Sequence, residues 1–437
     1  MRLEDRVINV ALLGLGVVGS GVLSALSLKK DIFLNQFGYK IEVPYVLVND
    51  PNKARELYSQ DVTVTREFSE ILNDSSIDIV VELIGGENPA LAYIRMALEH
   101  GKSVVTANKE VMSKHGPELM ALASEHGAHL LFEASVGGGI PIVGPLLRDL
   151  KGNDITAIRS IINGTTNYIL TNMTHKRADY LATLEEAKAL GYAESDPTND
   201  VEGIDAVYKL SIMTSLAFKT KVYPTDIYRE GISKLTSNDF RYAEELGYVI
   251  KLMAIAKKED GEIEVRVHPT LLPGDTPLAK VDGVFNAIQI DGDLVGQVLF
   301  HGQGAGSTAT ASAVVGDILD VIDDLIRDVK PVPFNNNYEK YTIRSISELI
   351  TRYYIRVTVG DQPGVMAKLA YILGDRGISI ASVIQKEADI SLNTAELVIT
   401  THPSKEEHLQ LALMEMASLD VVKNIGSTIR IESGLSD

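Results

Sequence analysis

The chain has 437 residues and a formal net charge of −18, from 41 basic and 59 acidic side chains. That balance sets aside nucleic acid and anionic membranes as main partners, no apolar run reaches the roughly 18 residues of a membrane-spanning helix, and the lack of cysteine excludes disulfides and a catalytic thiolate. A hydrophobic content of 45% with 23% charged residues is that of an ordinary globular chain of about two to four domains.

The first apolar run, Val7 to Leu13, reads as a strand buried on both faces. It leads directly into Gly14-Leu15-Gly16-Val17-Val18-Gly19, a G-x-G-x-x-G, and then into a helical pattern. No cleaved signal peptide is expected from such a start. Strand, glycine turn and helix form the context in which this motif binds a dinucleotide: Gly14 for the tight turn, Gly16 for approach to the pyrophosphate, Gly19 for helix–strand packing. The competing reading is a turn with no ligand. A second strand follows at Val43 to Val48, after an inserted LKKDIFLNQFGYKIE, and Asn49-Asp50 end it. An acid there accepts ribose hydroxyls, whereas Lys53 and Arg55 could meet a 2′-phosphate, so NAD and NADP both stay open.

Alternation continues with a strand at Ile77 to Ile84, a helix at Pro89 to His100, a strand at Lys102 to Thr106, a helix opening at Asn108-Lys109-Glu110, and a strand at His129 to Phe132. This order predicts a doubly wound parallel α/β sheet of the Rossmann type over residues 1–135, probed by ligands at the carboxyl ends of its strands. Lys109 lies just past such an end. Glu133 to Pro141 then offers a carboxylate and three consecutive glycines, an oxygen-rich stretch suited to a hard cation or simply to a hinge.

From Pro141 the pattern becomes that of an α+β catalytic domain, residues 136–327. It has a strand at Thr156 to Ile162, a helix at Leu181 to Leu190, and strands at Gly247 to Lys258, Glu262 to His268 and Val284 to Phe300, with turns at Asp260-Gly261 and Asp291-Gly292. Gly302 to Gly306 is a second glycine-rich loop, and the helix after it, about 307–327, is expected to complete the dinucleotide domain. Residues 328–351 read as a linker. The tail, 352–437, has the order βαββαβ, which is ferredoxin-like. It carries no candidate catalytic residue, so a chain ending near Asn337 is expected to stay active.

Between these strands lies the stretch Gly191 to Leu210, with five carboxylates (Glu194, Asp196, Asp200, Glu202, Asp205) and one ammonium, Lys209. Apolar spacing predicts a helix from Val201, which sets Asp205 and Lys209 at i and i+4 on one face. A lysine held by a carboxylate on a packed helix is a positioned acid or base. A solvated loop with a surface ion pair is the plainer alternative.

Over residues 5–330 the chain resembles homoserine dehydrogenase. The matches are GLGVVG at 14–19, ANK at 107–109, EASVGGGIPI at 133–142, NGTTNY at 163–168, GYAESDP at 191–197 and DVEGIDAVYK at 200–209. GDQPGVMAKLA at 360–370 resembles the first turn and helix of an ACT domain. The organisation is similar to that of the monofunctional enzyme, since no kinase-sized segment precedes the first strand. The resemblance implies NAD(P)-dependent interconversion of L-homoserine and L-aspartate 4-semialdehyde in threonine, methionine and isoleucine biosynthesis. It implies Lys209 as acid/base, Asp205 as its partner and substrate ligand, Glu194 on the substrate amino group, and Lys109 beside nicotinamide and substrate. Gly191 and Gly306 would flank the cofactor. Glu133 and the carbonyls of Val136, Gly138 and Ile140 would bind a monovalent cation, Na+. A cytoplasmic homodimer or homotetramer with an amino-acid effector at the ACT domain is expected. Asn49 stands where many relatives carry an arginine for NADP. Two rivals are weighed against this: an aldehyde dehydrogenase working through a cysteine thioester, which the missing thiol excludes, and a non-catalytic sensor of amino acids and NAD(P).

Overall fold

The computed structural model describes residues 7–50, 62–331, 341–389 and 391–432. In chain order the first elements are β1 (Val7–Leu13), α1 (Val17–Leu28), α2 (Lys30–Phe37), β2 (Lys40–Leu47), β3 (Thr63–Thr65), α3 (Phe68–Asn73), β4 (Ile79–Glu82), α4 (Ala90–Glu99), β5 (Ser103–Thr106), α5 (Lys109–Glu125), β6 (Leu130–Leu131) and α6 (Val143–Leu147). The middle of the chain gives β7 (Ile155–Ile161), α7 (Gly164–Lys176), α8 (Tyr180–Ala189), α9 (Thr198–Val201), α10 (Ile204–Ala217), β8 (Tyr228–Arg229), α11 (Ser237–Glu245), β9 (Tyr248–Glu259), β10 (Glu262–Pro273), β11 (Phe285–Gly292), β12 (Gly296–Gln303) and α12 (Ser307–Ile326). The last part holds β13 (Thr342–Ile343), β14 (Ile350–Gly360), α13 (Val365–Asp375), β15 (Ile380–Asp389), β16 (Thr394–Thr401), β17 (Ser404–Lys405), α14 (Glu406–Ala417) and β18 (Val422–Ile431).

Two compact units result. The first joins residues 1–155, 208–224 and 291–340; the second joins 156–207, 225–290 and 341–437. The first unit contains a six-stranded sheet in the order β3-β2-β1-β4-β5-β6, parallel throughout. The order reverses between β1 and β4, which opens a crevice at their carboxyl ends. The insertion before β2 is a helix of its own, α2, and this lengthens the spacing from the glycine motif to Asp50. Helix α12 returns to this sheet: Ala311, Val314, Val315, Ile318, Val321 and Ile322 share one buried cluster with Val10, Leu12, Val22 and Leu26. The periodicity of α12 is therefore explained by a core it reaches from far along the chain.

In the second unit the strands run β11-β7-β9-β10-β18-β14-β16-β15. β9 and β10 form a long antiparallel hairpin, with Glu259 opposite Glu262 and Tyr248 opposite Pro273. The tail folds as βαββαβ with its own core of Tyr353, Ile355, Leu369, Leu397, Leu409 and Met416. Its last strand then pairs in parallel with β10, Thr270 against Arg430 and Leu271 against Ile431. Of the stretch read as a linker, residues 332–340 lie outside the described residues, and β13 also pairs with β10.

Three sequence expectations shift. The helix expected from Val201 is two helices, because Gly203 takes φ +76°, a backbone that ends α9 and lets α10 begin at Ile204. The turn expected at Asp291-Gly292 falls at 293–295, since β11 runs through Gly292. The tail is not independent. Arg430 grips Glu406 with two bonds of 2.8 and 2.9 Å and reaches Glu230 at 3.0 Å. Arg356 holds the fully buried Asp239 at 2.7 Å, and Glu432 meets Arg266 at 3.0 Å, Arg159 at 3.3 Å and Lys257.

Two outcomes follow from that joint. A chain ending at residue 340 strips β18 from β10 and leaves Arg266, Asp239 and Glu230 without these partners, so it is expected to aggregate or melt well below the full chain in a thermal scan. Burial alone would raise the Glu432 carboxyl, but the charges of Lys257 and Arg266 outweigh this and hold it down to about 2 from 4.5. An acid depressed in the folded state stabilises above its unfolded value and loses that contribution as pH falls through its folded value. Glu432→Gln should therefore cost about 3–5 kcal/mol at neutral pH, and the gap to wild type should close between about pH 4.5 and 2 in urea titrations.

Candidate active site

A cleft lies in the first unit at the β1/β4 crevice. It has a volume of about 360 Å³ and is lined by Gly14, Leu15, Gly16, Leu47, Val48, Asn49, Asp50, Leu83 and Ile84. Gly14 is held at φ +102° with Leu83 O 2.8 Å from where a Cβ would stand, so no other residue fits. Gly16 caps α1 with no side-chain hydrogen bond, and nothing lies within 4 Å of its Cβ direction. The first N–H groups of α1 are thus open to an anion. Ser307 Oγ donates to Val17 O at 2.8 Å, which ties the start of α12, capped by Gly306, to this turn. Lys53 and Arg55 lie outside the described residues.

Glu82 and Thr106 order the adjoining loop ends. Glu82 is fully buried, and burial raises its pKa against the opposing hydrogen bond from Thr106. Its carboxylate accepts from Thr106 Oγ1 at 2.7 Å and from the Ile84 and Gly85 N–H groups at 2.8 and 3.3 Å. Thr106 in turn accepts from Asn108 N, and Asn108 caps α5 through Val111 N. Lys109 is therefore presented, half-buried, as the first residue of α5 at the end of β5. Further along α10, Ser211 Oγ donates to Ser113 O of α5 at 3.3 Å, so the segment carrying Lys209 packs on the helix that Lys109 opens.

The glycine loop after Glu133 packs on the second glycine loop. A Cβ at Gly138 would meet Gly304 O at 2.5 Å, and Gly139 N donates to Gln303 O at 3.2 Å. The Glu133 carboxylate accepts three backbone N–H groups, from Ile142 (2.6 Å), Val143 (2.9 Å) and Gly144 (2.6 Å). Glu133 N donates to Asp317 Oδ2 at 2.8 Å, and burial pushes the Asp317 carboxyl up to about 8. Among the described residues no cluster of three His, Asp or Glu side chains could hold a metal ion, so any cation here would rest largely on carbonyl oxygens.

In the second unit, Asp205 is the second residue of α10 and is 3% exposed. Asn163, the cap of α7, donates from Nδ2 to Asp205 Oδ2 at 3.0 Å and to Asp200 Oδ1 at 2.7 Å. Asn163 was not singled out from sequence for a role, and Asp200 was named only among the acidic residues of the stretch from Gly191 to Leu210. The NGTTNY motif contained the one signal, an asparagine at a cap where serine or aspartate would serve as well. Glu194 is exposed on the loop between α8 and α9, beside Gly191 at φ +76°. Thr165 Oγ1 donates to Tyr192 O at 2.6 Å and so fastens that loop to α7. The same helix runs on into the first unit, where Lys209, one turn after Asp205, is 9% exposed.

The chain as a whole has counterparts among known proteins. The profile of homoserine dehydrogenase matches residues 141–319, that of the homoserine dehydrogenase NAD binding domain matches 14–133, and that of the ACT domain matches 353–421. A homoserine dehydrogenase of Neisseria gonorrhoeae is 42% identical over 98% of this chain and 99% of its own. The chain belongs to the homoserine dehydrogenase family. The crystal structure of a homoserine dehydrogenase from Thiobacillus denitrificans superposes with a TM-score of 0.92 at 41% identity, covering 98% of this chain and 99% of that one. A hyperthermophilic archaeal homoserine dehydrogenase in complex with NADPH gives a TM-score of 0.63 at 29% identity over 73% of this chain and 98% of its own. The chain is thus an oxidoreductase of amino-acid biosynthesis that uses a nicotinamide cofactor to interconvert homoserine and aspartate semialdehyde, and it carries an ACT domain. No helix of the described residues is long and apolar enough to cross a membrane.

Gly14→Ala tests the cleft. A Cβ pressed on Leu83 O at a left-handed φ costs about 1–3 kcal/mol. The variant should bind NADH and NADPH at least tenfold more weakly in fluorescence titrations, with a lowered melting temperature.

Proposed function

We propose that the homoserine dehydrogenase reaction of this chain runs with Lys209 as proton donor and acceptor and Asp205 as the carboxylate that orients it and contacts substrate. The observation that carries this reading is the pair of opposite charges one turn apart on α10, both at least nine-tenths buried. Burying either charge alone is costly, so each group requires an opposite charge or strong hydrogen bonds nearby. A bound nicotinamide supplies the hydride in one direction and receives it in the other. In the reducing direction Lys209 gives its proton to the developing alkoxide; in the oxidising direction it accepts the hydroxyl proton. Glu194 takes the substrate ammonium, and Lys109, fixed by the Asn108 cap, orients substrate beside the nicotinamide. No covalent intermediate is needed, which agrees with a chain that has no cysteine.

The dinucleotide, NAD or NADP, rests on Gly14, Leu15, Gly16, Val17, Val18 and Gly19, with Gly191 and Gly306 at its flanks. The open α1 N-terminus supports its pyrophosphate there, and Asp50 in the cleft supports a ribose. A monovalent cation such as Na+ fits Glu133 and the carbonyl oxygens of Val136, Gly138 and Ile140. Among the described residues none of those three oxygens accepts a hydrogen bond, and buried acceptors left unmet cost about 1–3 kcal/mol each. The ACT domain takes an amino-acid effector, threonine first among the candidates, in a cytoplasmic homodimer or homotetramer.

Lys209→Ala is the decisive variant. It should lower kcat by roughly 10²–10⁴ and remove one limb of the pH–rate profile, with dinucleotide affinity nearly unchanged. A folded variant with near-wild-type kcat would take Lys209 out of the mechanism and leave Lys109 as the stronger candidate.

A further inference from the structure

We propose that Asn163 is a positioning residue, a two-handed amide that sets the carboxylates of Asp200 and Asp205 in their working register. The inference rests on the reading that Asp205 takes part in the reaction. The side-chain oxygen of Asn163 accepts the Thr166 N–H at 2.9 Å, and the Thr166 hydroxyl shares its one hydrogen between that oxygen at 3.0 Å and the Asn163 backbone carbonyl at 3.1 Å. The backbone donor fixes the amide oxygen on the Thr166 side, so the NH2 end faces the acids. Each of its hydrogens then meets one carboxylate, at the distances given above. Turning the amide over would set its oxygen against two anions and leave Thr166 facing a donor. Asn163 is 6% exposed and Thr166 1%, so water does not offer an equivalent alternative.

Capping α7 does not require asparagine, because aspartate, serine or threonine would also accept from Thr166. Only an amide adds two donors on the opposite end. The backbone is arranged to use them. On a continuous helix, residues five apart point about 140° away from each other. Asp200 and Asp205 nevertheless converge on one nitrogen, because the break at Gly203 separates α9 from α10. Two carboxylates brought to one place repel. A neutral donor holds them together without cancelling their charge, which a lysine or arginine at 163 would do, and so keeps the site attractive to an ammonium.

Capping and positioning separate in Asn163→Ser and Asn163→Asp, which keep an acceptor for Thr166 but lose the paired donors. In the full-length enzyme, kcat/KM for homoserine should fall by about 10–100-fold, the usual cost of a displaced catalytic group. Both a higher KM and a lower kcat should contribute, while NADH and NADPH affinities stay within twofold of wild type. A role in capping alone predicts the opposite: near-wild-type kinetics in both variants, and a lowered melting temperature only in Asn163→Ala. Steady-state kinetics within twofold of wild type in folded Asn163→Ser would overturn the proposal, and that variant decides the matter if the aspartate form does not fold. Asp205→Asn, measured alongside, separates the two readings. If it loses activity and the Asn163 variants do not, only the positioning role fails. If Asp205→Asn itself keeps full activity, the acid reading fails and the positioning role falls with it.

Discussion

A carboxylate at Asp205, in the first turn of a helix and almost wholly out of water, has to be met by donors before the fold is stable at all. The chain meets that demand by several local choices. Gly203 ends one helix so that another can begin one residue before the acid, which places Asp205 where the helix dipole favours a negative charge. The cap of a separate helix, α7, supplies a neutral donor from 42 residues away. One turn on, Lys209 places the opposite charge on the same helix. The stretch from Gly191 to Leu210 is therefore organised around one buried acid and the restraints that hold it.

The dinucleotide cleft follows a different logic. It needs no buried ions, only the reversal of strand order between β1 and β4, an uncapped helix start, and a glycine where Leu83 O leaves no room for a side chain. Glu82 is the exception: it is buried at the end of β4 and spends its oxygens on Thr106, Ile84 and Gly85. That network shapes the two loops beside the cleft and passes through Asn108 to the first residue of α5. One buried acid thus sets the backbone on which Lys109 stands.

What could be read from the sequence and what could not divides along contact range. β1, the glycine turn and α1 were legible because period, motif and cap are all local signals. The βαββαβ order of the tail was legible for the same reason. The i, i+4 spacing of Asp205 and Lys209 survived although the helix start moved, since the break at Gly203 precedes both residues. The pairing of β18 with β10 was not legible: nothing in Thr428 to Glu432 names a partner some 160 residues earlier, and a strand edge is compatible with many partners. Asn163 was hidden for a related reason. Its cap role is a local signal, but the two carboxylates it serves are 37 and 42 residues away.

The joint between the tail and β10 is short in hydrogen-bonding terms, with two facing residue pairs, Thr270–Arg430 and Leu271–Ile431. Main-chain bonds at a net ~0.5–1.5 kcal/mol each would not fix a whole module in one place. The ionic contacts around it do what those bonds cannot. Arg430 reaches back to Glu230, Arg356 and Ser427 both bond to Asp239, and Glu432 is shared by Arg266, Arg159 and Lys257. Buried ion pairs of this kind add little net stability compared with a well-packed apolar contact, yet breaking one from a single side is severe. The consequence is selectivity rather than strength. A tail displaced by even one register would leave several charges buried and unmatched, so the module either docks with all of its partners or does not dock.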